Sequence, residues 1–188
     1  MNKEHRYNML TPGFINELRR GVETHNIDND RDVIYMAPRK GEHFSIGTDF
    51  RMISHMKKEE NYGKIAEYFE HLYSLQTYFA KLNKPLVVAA PGVALNSGAA
   101  LLSACSFPLA TETLKFGFNE VNYGFVPHSG GSFYMSRMPG EFGTFMAVTG
   151  LSIGGADASL VGGVTNGMIE NTKYYDEHVA SIVDSMEL

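Results

Sequence analysis

Three short stretches of this chain carry residues that could do chemistry together. Residues 114–131, LKFGFNEVNYGFVPHSGG, hold one acid, Glu120, between a β-type run and a glycine-rich turn. Residues 43–49 (HFSIGTD) and 91–104 (PGVALNSGAALLSA) each leave an extended run through a turn of small residues. Such turns expose backbone N–H groups, and two converging N–H groups can hold an oxyanion. A carboxylate facing them could attack the bound group or deprotonate a water beside it. That arrangement suits acyl-thioester chemistry, provided the three stretches meet in space. His128, eight positions after Glu120, is either a polar loop histidine or a second acid/base.

The elements that would position these residues can be read from periodicity. Thr11-Pro12 opens a helix, with Phe14, Leu18 and Val22 on one face as far as about residue 24. A polar loop follows over 25–32, then a short apolar strand over 33–36 stopped by Pro38. The spacing predicts one long helix over 57–82, with Ile65, Phe69, Leu72, Leu75 and Phe79 as its stripe. Asp49 is placed to cap the helix after the first glycine turn. A buried strand is expected over 86–90, a helix over 98–104, and strands over 107–110 and 114–118. Short helices follow near 132–136, 141–149 and 155–161, then a strand over 167–169 and a helix over 174–186. Strands alternating with helices imply an α/β fold with a mostly parallel sheet. No internal repeat or linker divides the chain, so residues 1–188 are expected to form a single domain.

Composition narrows the function classes. With 188 residues the chain can bury a full core. Its 44% apolar and 20% charged residues are those of a soluble globular protein. A net charge of −5 offers no basic field for direct nucleic-acid binding, while leaving protein contacts within a larger assembly open. No apolar run approaches the roughly 20 residues that span a bilayer, and no targeting peptide is visible. The single cysteine, Cys105, reads as a small buried residue. His5, His25, His43, His55, His71 and His178 show no ligand spacing, so no metal site is expected.

Taken together, VIYMAPRKGEHFSIGTDFRMI and NKPLVVAAPGVALNSGAALLSACSFPLATETLKFGFNEVNYGFVPHSGG resemble the crotonase (enoyl-CoA hydratase/isomerase) superfamily. ATETLKFGFNE, GFVPHSGGSFYMSRMPG and AVTGLSIGGADASLVGGVTN are most similar to the 3-hydroxyisobutyryl-CoA hydrolases. The resemblance covers most of residues 7–172. It implies a crotonase-like ββα spiral of mostly parallel sheets flanked by helices. Its ligand would be an acyl-CoA thioester, with coenzyme A entering as part of the substrate and no other cofactor. By position, the amides of Thr48 and Ser97 would form the oxyanion hole, Gly47 and Gly98 would line the substrate, and Glu120 would be nucleophile or general base. The adenine end of coenzyme A would lie near residues 39–49.

Several positions depart from the family pattern. Asn96-Ser97-Gly98 replaces a glycine triplet, His128 replaces an aspartate, Leu72 replaces a glutamate of the long helix, and Asn119 replaces a proline. Ala100 stands where hydratases need a second acid. The family's first strand would precede Arg6, and its full C-terminal helical region is expected to be lacking. These features imply one of two roles. One is a divergent domain with little or no thioester hydrolysis, kept as a subunit of a mitochondrial assembly such as the small subunit of the mitochondrial ribosome. The other is an active 3-hydroxyisobutyryl-CoA hydrolase of valine catabolism. Mitochondrial location and protein partners, in a larger complex or a crotonase-type oligomer, are likewise implied by the resemblance alone.

Overall fold

The computed structural model describes residues 7–38 and 43–164, with the backbone of 168–169. Helix α1 (Pro12–Ile27) starts where expected, with the Thr11 side chain accepting from the Phe14 amide at 3.4 Å. It runs past residue 24 because Thr24 and His25 bond back to the carbonyls of Arg20 and Gly21, at 2.9 and 2.8 Å. Those bonds carry the last turn through polar residues.

Strands β1 (Ile34–Met36), β2 (Leu86–Ala90), β4 (Phe107–Thr111) and β7 (Met168–Ile169) form one parallel sheet in the order β1-β2-β4-β7. Strands β3 (Val93–Leu95), β5 (Lys115–Gly117) and β6 (Ser152–Gly154) form a second sheet, parallel between β3 and β5 and antiparallel between β5 and β6. Successive strands pass from one sheet to the other (β2 to β3, then β4 to β5) with helices between, which is the ββα spiral. All five residues of β2 are buried, as a strand covered on both faces requires.

The buried core includes most of α4 (Ser97–Ser103) and the side chains Phe44, Leu72, Leu75, Leu101, Leu102, Phe116 and Phe118. Cys105 belongs to this core; its thiol bonds the Leu101 carbonyl at 3.1 Å, and burial pushes its pKa up. The remaining helices are α5 (Gly131–Met135), α6 (Phe142–Thr149) and α7 (Gly155–Leu160).

The helix expected over 57–82 is instead two helices, α2 (Phe50–Lys58) and α3 (Tyr62–Phe79). Glu60 takes φ +56, and Asn61 then caps α3 by accepting from the Lys64 amide at 3.3 Å. A good cap placed inside an apolar stripe restarts the helix. Asp49 caps α2, its carboxylate accepting from the Arg51 and Met52 amides, both at 3.1 Å. Strands β3 and β6, each three residues long, leave too short a pattern to read. The helix expected over 174–186, Gly167 of the expected last strand, and residues 39–42 of the first glycine turn lie outside the described residues.

Candidate functional site: two turns, an imidazole and a sealed carboxylate

The two small-residue turns lie directly against each other. Gly47 has φ +81, and a Cβ there would come within 2.6 Å of the Leu95 carbonyl and 2.8 Å of Ser97 Oγ. A Cβ on Gly98 would approach the Ser45 carbonyl oxygen to 2.5 Å. Both glycines are therefore required by the close approach of the turns. Leu10 and Ser45 hold the first turn from below: the Leu10 amide donates to the Gly47 carbonyl at 2.8 Å, and Ser45 Oγ donates to the Asn8 carbonyl at 2.8 Å. On the other side, Gln76 Nε2 donates to the Ser97 carbonyl at 3.1 Å.

Thr48 and Ser97, the two residues whose amides were expected to face a carbonyl oxygen, are both buried. Their side chains meet, Oγ1 to Oγ, at 2.9 Å. Thr48 Oγ1 also lies 3.3 Å from His128 Nε2, and His128 Nδ1 lies 2.8 Å from Ser129 Oγ. One bonded chain thus runs Ser97–Thr48–His128–Ser129. His128 is not the polar surface histidine that one reading of its loop allows: only 8% of it is exposed. Its ring stands nearly perpendicular to Phe50, Phe69 and Phe125, at centroid distances of 6.3, 5.4 and 5.3 Å. Burial lowers its pKa to about 4, so it is neutral at pH 7. Ser129 at φ +59 and Gly130 at φ +82 form the tight turn that delivers it.

Glu120 opens a 3-10 turn, Glu120–Tyr123, and is fully buried. Among the described residues neither carboxylate oxygen has a hydrogen-bond partner. Burial raises its pKa from 4.5 to about 7; its own amide and that of His128 oppose the shift from nearby without aligning as bonds. The preceding residue ties this turn to the second small-residue turn, since the Asn119 amide donates to Asn96 Oδ1 at 3.1 Å. Leu72 and Ala100, the positions where the resemblance led an acid to be expected, are fully buried. Glu120 is then a lone acid in an apolar setting, able to act as a proton acceptor near pH 7 only where a partner can reach it.

Four contributors escape a reading by sequence. Asn96 holds φ +55 and bridges the turns, its Nδ2 donating to the Ile46 carbonyl at 3.4 Å; asparagine's tolerance of positive φ is the available signal. Gln76 lies within an apolar stripe, where a buried amide must have a partner. Phe50 comes from a separate segment with nothing local to link it to His128, and Phe125, three positions before His128, carries no pattern that marks it as a ring neighbour.

A model of the enoyl-CoA hydratase/isomerase family matches residues 1–182. Over 167 residues the chain is 29% identical to human mitochondrial 3-hydroxyisobutyryl-CoA hydrolase, covering 88% of this chain and 43% of that protein. It is 27% identical to the small ribosomal subunit protein mS47 of Arabidopsis thaliana, covering 88% and 40%. The chain thus spans about two fifths of the length of these curated relatives. Among solved structures, an enoyl-CoA hydratase from Bacillus halodurans superposes with a TM-score of 0.91 at 18% identity, covering all of this chain and 74% of that one. A carnitinyl-CoA dehydratase from Mycobacterium thermoresistibile superposes with 0.90 at 23% identity, covering 98% and 53%. The spiral fold, the abutting turns with Glu120 beside them and these likenesses agree: the chain belongs to the enoyl-CoA hydratase/isomerase family, with the crotonase fold and with 3-hydroxyisobutyryl-CoA hydrolases among its relatives.

Proposed function

We propose that this chain is a divergent crotonase domain in which acyl-CoA thioester hydrolysis is reduced or lost, and which serves as a structural subunit of a mitochondrial assembly. The small subunit of the mitochondrial ribosome is the concrete case. The observation that carries this reading is the closure of the site. Thr48, Ser97, His128 and Glu120 are each less than 9% exposed, and the space beside the turns is taken by the Thr48 and Ser97 hydroxyls and the His128 imidazole, with aromatic rings packed around it. A thioester carbonyl needs that space. Likeness to the small ribosomal subunit protein mS47 supports the assembly, and hydrolase relatives named as mitochondrial support the compartment.

An apolar surface adds support. Phe145 (51% exposed) and Val148 (70%) face outward on α6, with Leu151 following and Val121 of the 3-10 turn exposed beside its C-terminal end. A contiguous patch of this kind suits contact with another protein.

One observation favours the alternative, an active 3-hydroxyisobutyryl-CoA hydrolase. Burial holds the Glu120 pKa at about 7, the range that suits a general base. The deciding experiment compares hydrolysis of 3-hydroxyisobutyryl-CoA by the wild type and by Glu120→Ala. Equal rates at the level of buffer support the structural reading. Turnover abolished by Glu120→Ala establishes the hydrolase. In parallel, tagged protein from mitochondria should sediment with a large ribonucleoprotein; sedimentation only as a free small species would defeat the assembly role.

A further inference from the structure

A groove of about 350 Å³ is lined by Tyr73 and Ser129, both of which also adjoin His128 of the candidate site. One wall is the C-terminal half of α3, with Tyr73 and Gln76, and Lys81 just past its C-cap. The other wall is the turn at Ser129 and the first residues of α5, including Phe133 and Tyr134. Its size falls in the lower range of small-ligand pockets.

The lining chemistry is one-sided. No acidic side chain lines the groove, while an ammonium, an amide and four hydroxyls do. Burial raises the pKa of Tyr73 and of Tyr134, so both phenols stay protonated and can donate. The Arg137 guanidinium lies 3.5 Å from the centroid of Phe133, adding positive charge at that rim. Tyr73 and Phe133 supply exposed flat apolar surface, at 40% and 53% exposure. A cation and donors without an acid call for an anion, and flanking rings call for a flat body.

The geometry points to a binding site for a small aromatic or otherwise planar carboxylate, held by Lys81 and Tyr134 with its body between Tyr73 and Phe133. Occupancy would be felt in the candidate site through two groove residues: Gln76 bonds the Ser97 carbonyl at 3.1 Å, and Ser129 bonds His128 at 2.8 Å. The site stands whether or not the chain hydrolyses thioesters, because its groups are distinct from Glu120 and the oxyanion turns.

Benzoate is the probe, with benzamide as its uncharged counterpart, and calorimetry or ligand-observed NMR measures affinity for the wild type, Lys81→Gln and Phe133→Ala. Lys81 is exposed, so Lys81→Gln should keep the fold. The expected result is saturable benzoate binding, weakened about tenfold or more by Lys81→Gln and by exchange for benzamide, as loss of a charge-assisted bond predicts. Phe133→Ala should weaken benzoate and benzamide alike. Absence of benzoate binding at about 10 mM, or equal affinity of wild type and Lys81→Gln, overturns the proposal.

Discussion

Replacing Glu120 by glutamine should change how stability depends on pH more than it changes stability itself. The folded chain holds the Glu120 proton up to about pH 7, whereas the unfolded chain releases it near 4.5. Between those values the folded state binds more protons, so unfolding free energy falls as pH rises. Stability from this group is complete below 4.5 and lost as pH climbs through about 7. The gap is worth about 3 kcal/mol when fully expressed, of which about 2.5 kcal/mol falls between pH 5 and pH 8. Glutamine is nearly isosteric and does not ionise, so that dependence disappears in Glu120→Gln. Urea denaturation of both proteins at pH 5 and pH 8 yields two differences. The wild type should lose about 2.5 kcal/mol more than the variant across this range, or roughly 5–10 °C in melting temperature for a chain of this size. Taking the difference between the two proteins cancels every other titrating group they share. Parallel stability curves, within about 0.5 kcal/mol, would mean that Glu120 is solvated or bonded in solution, and the sealed site would be refuted.

His128 should show the opposite sign: its stabilising contribution is full above 6.5 and lost as pH falls through about 4. Relative to His128→Gln, the wild type should lose about 2 kcal/mol between pH 7 and pH 5, measured by urea titration. Gly98→Ala should cost about 1–3 kcal/mol, because its methyl would press on the Ser45 carbonyl at 2.5 Å; unchanged stability would show that the turns can separate freely. Leu72→Ala, at a fully buried position, should cost about 2–5 kcal/mol by chemical denaturation, whereas a surface-like value near zero would place α3 elsewhere.

Much of the fold was legible because its signals are local. Thr11-Pro12, the five apolar residues of β2 and the small-residue start of α4 each state their element within a few positions. The partners within the site were less legible. Glu120, Thr48 and Ser97 stood out by residue type and by family pattern, but their closure depends on which rings surround His128. Phe125 lies three positions before His128, but Phe50 follows the first turn and Phe69 sits on α3; only the tertiary fold brings these two to the imidazole. The break at residues 59–61 was missed for a related reason: the apolar stripe of α3 is strong, and a single asparagine cap decides where it begins. Strands as short as β3 and β6 draw their stability from pairing with β5 rather than from their own composition.

The two buried titratable groups constrain each other's chemistry. With Glu120 protonated below about 7 and His128 neutral above about 4, the closed cluster is built for a state in which neither carries charge. A catalytic base needs the reverse: an ionised carboxylate with donors or a water at its oxygens. Glu120 has none among the described residues. An uncharged cluster, and the bonds that tie Thr48 to Ser97 and His128, therefore support the proposal that hydrolysis is reduced or lost in this domain.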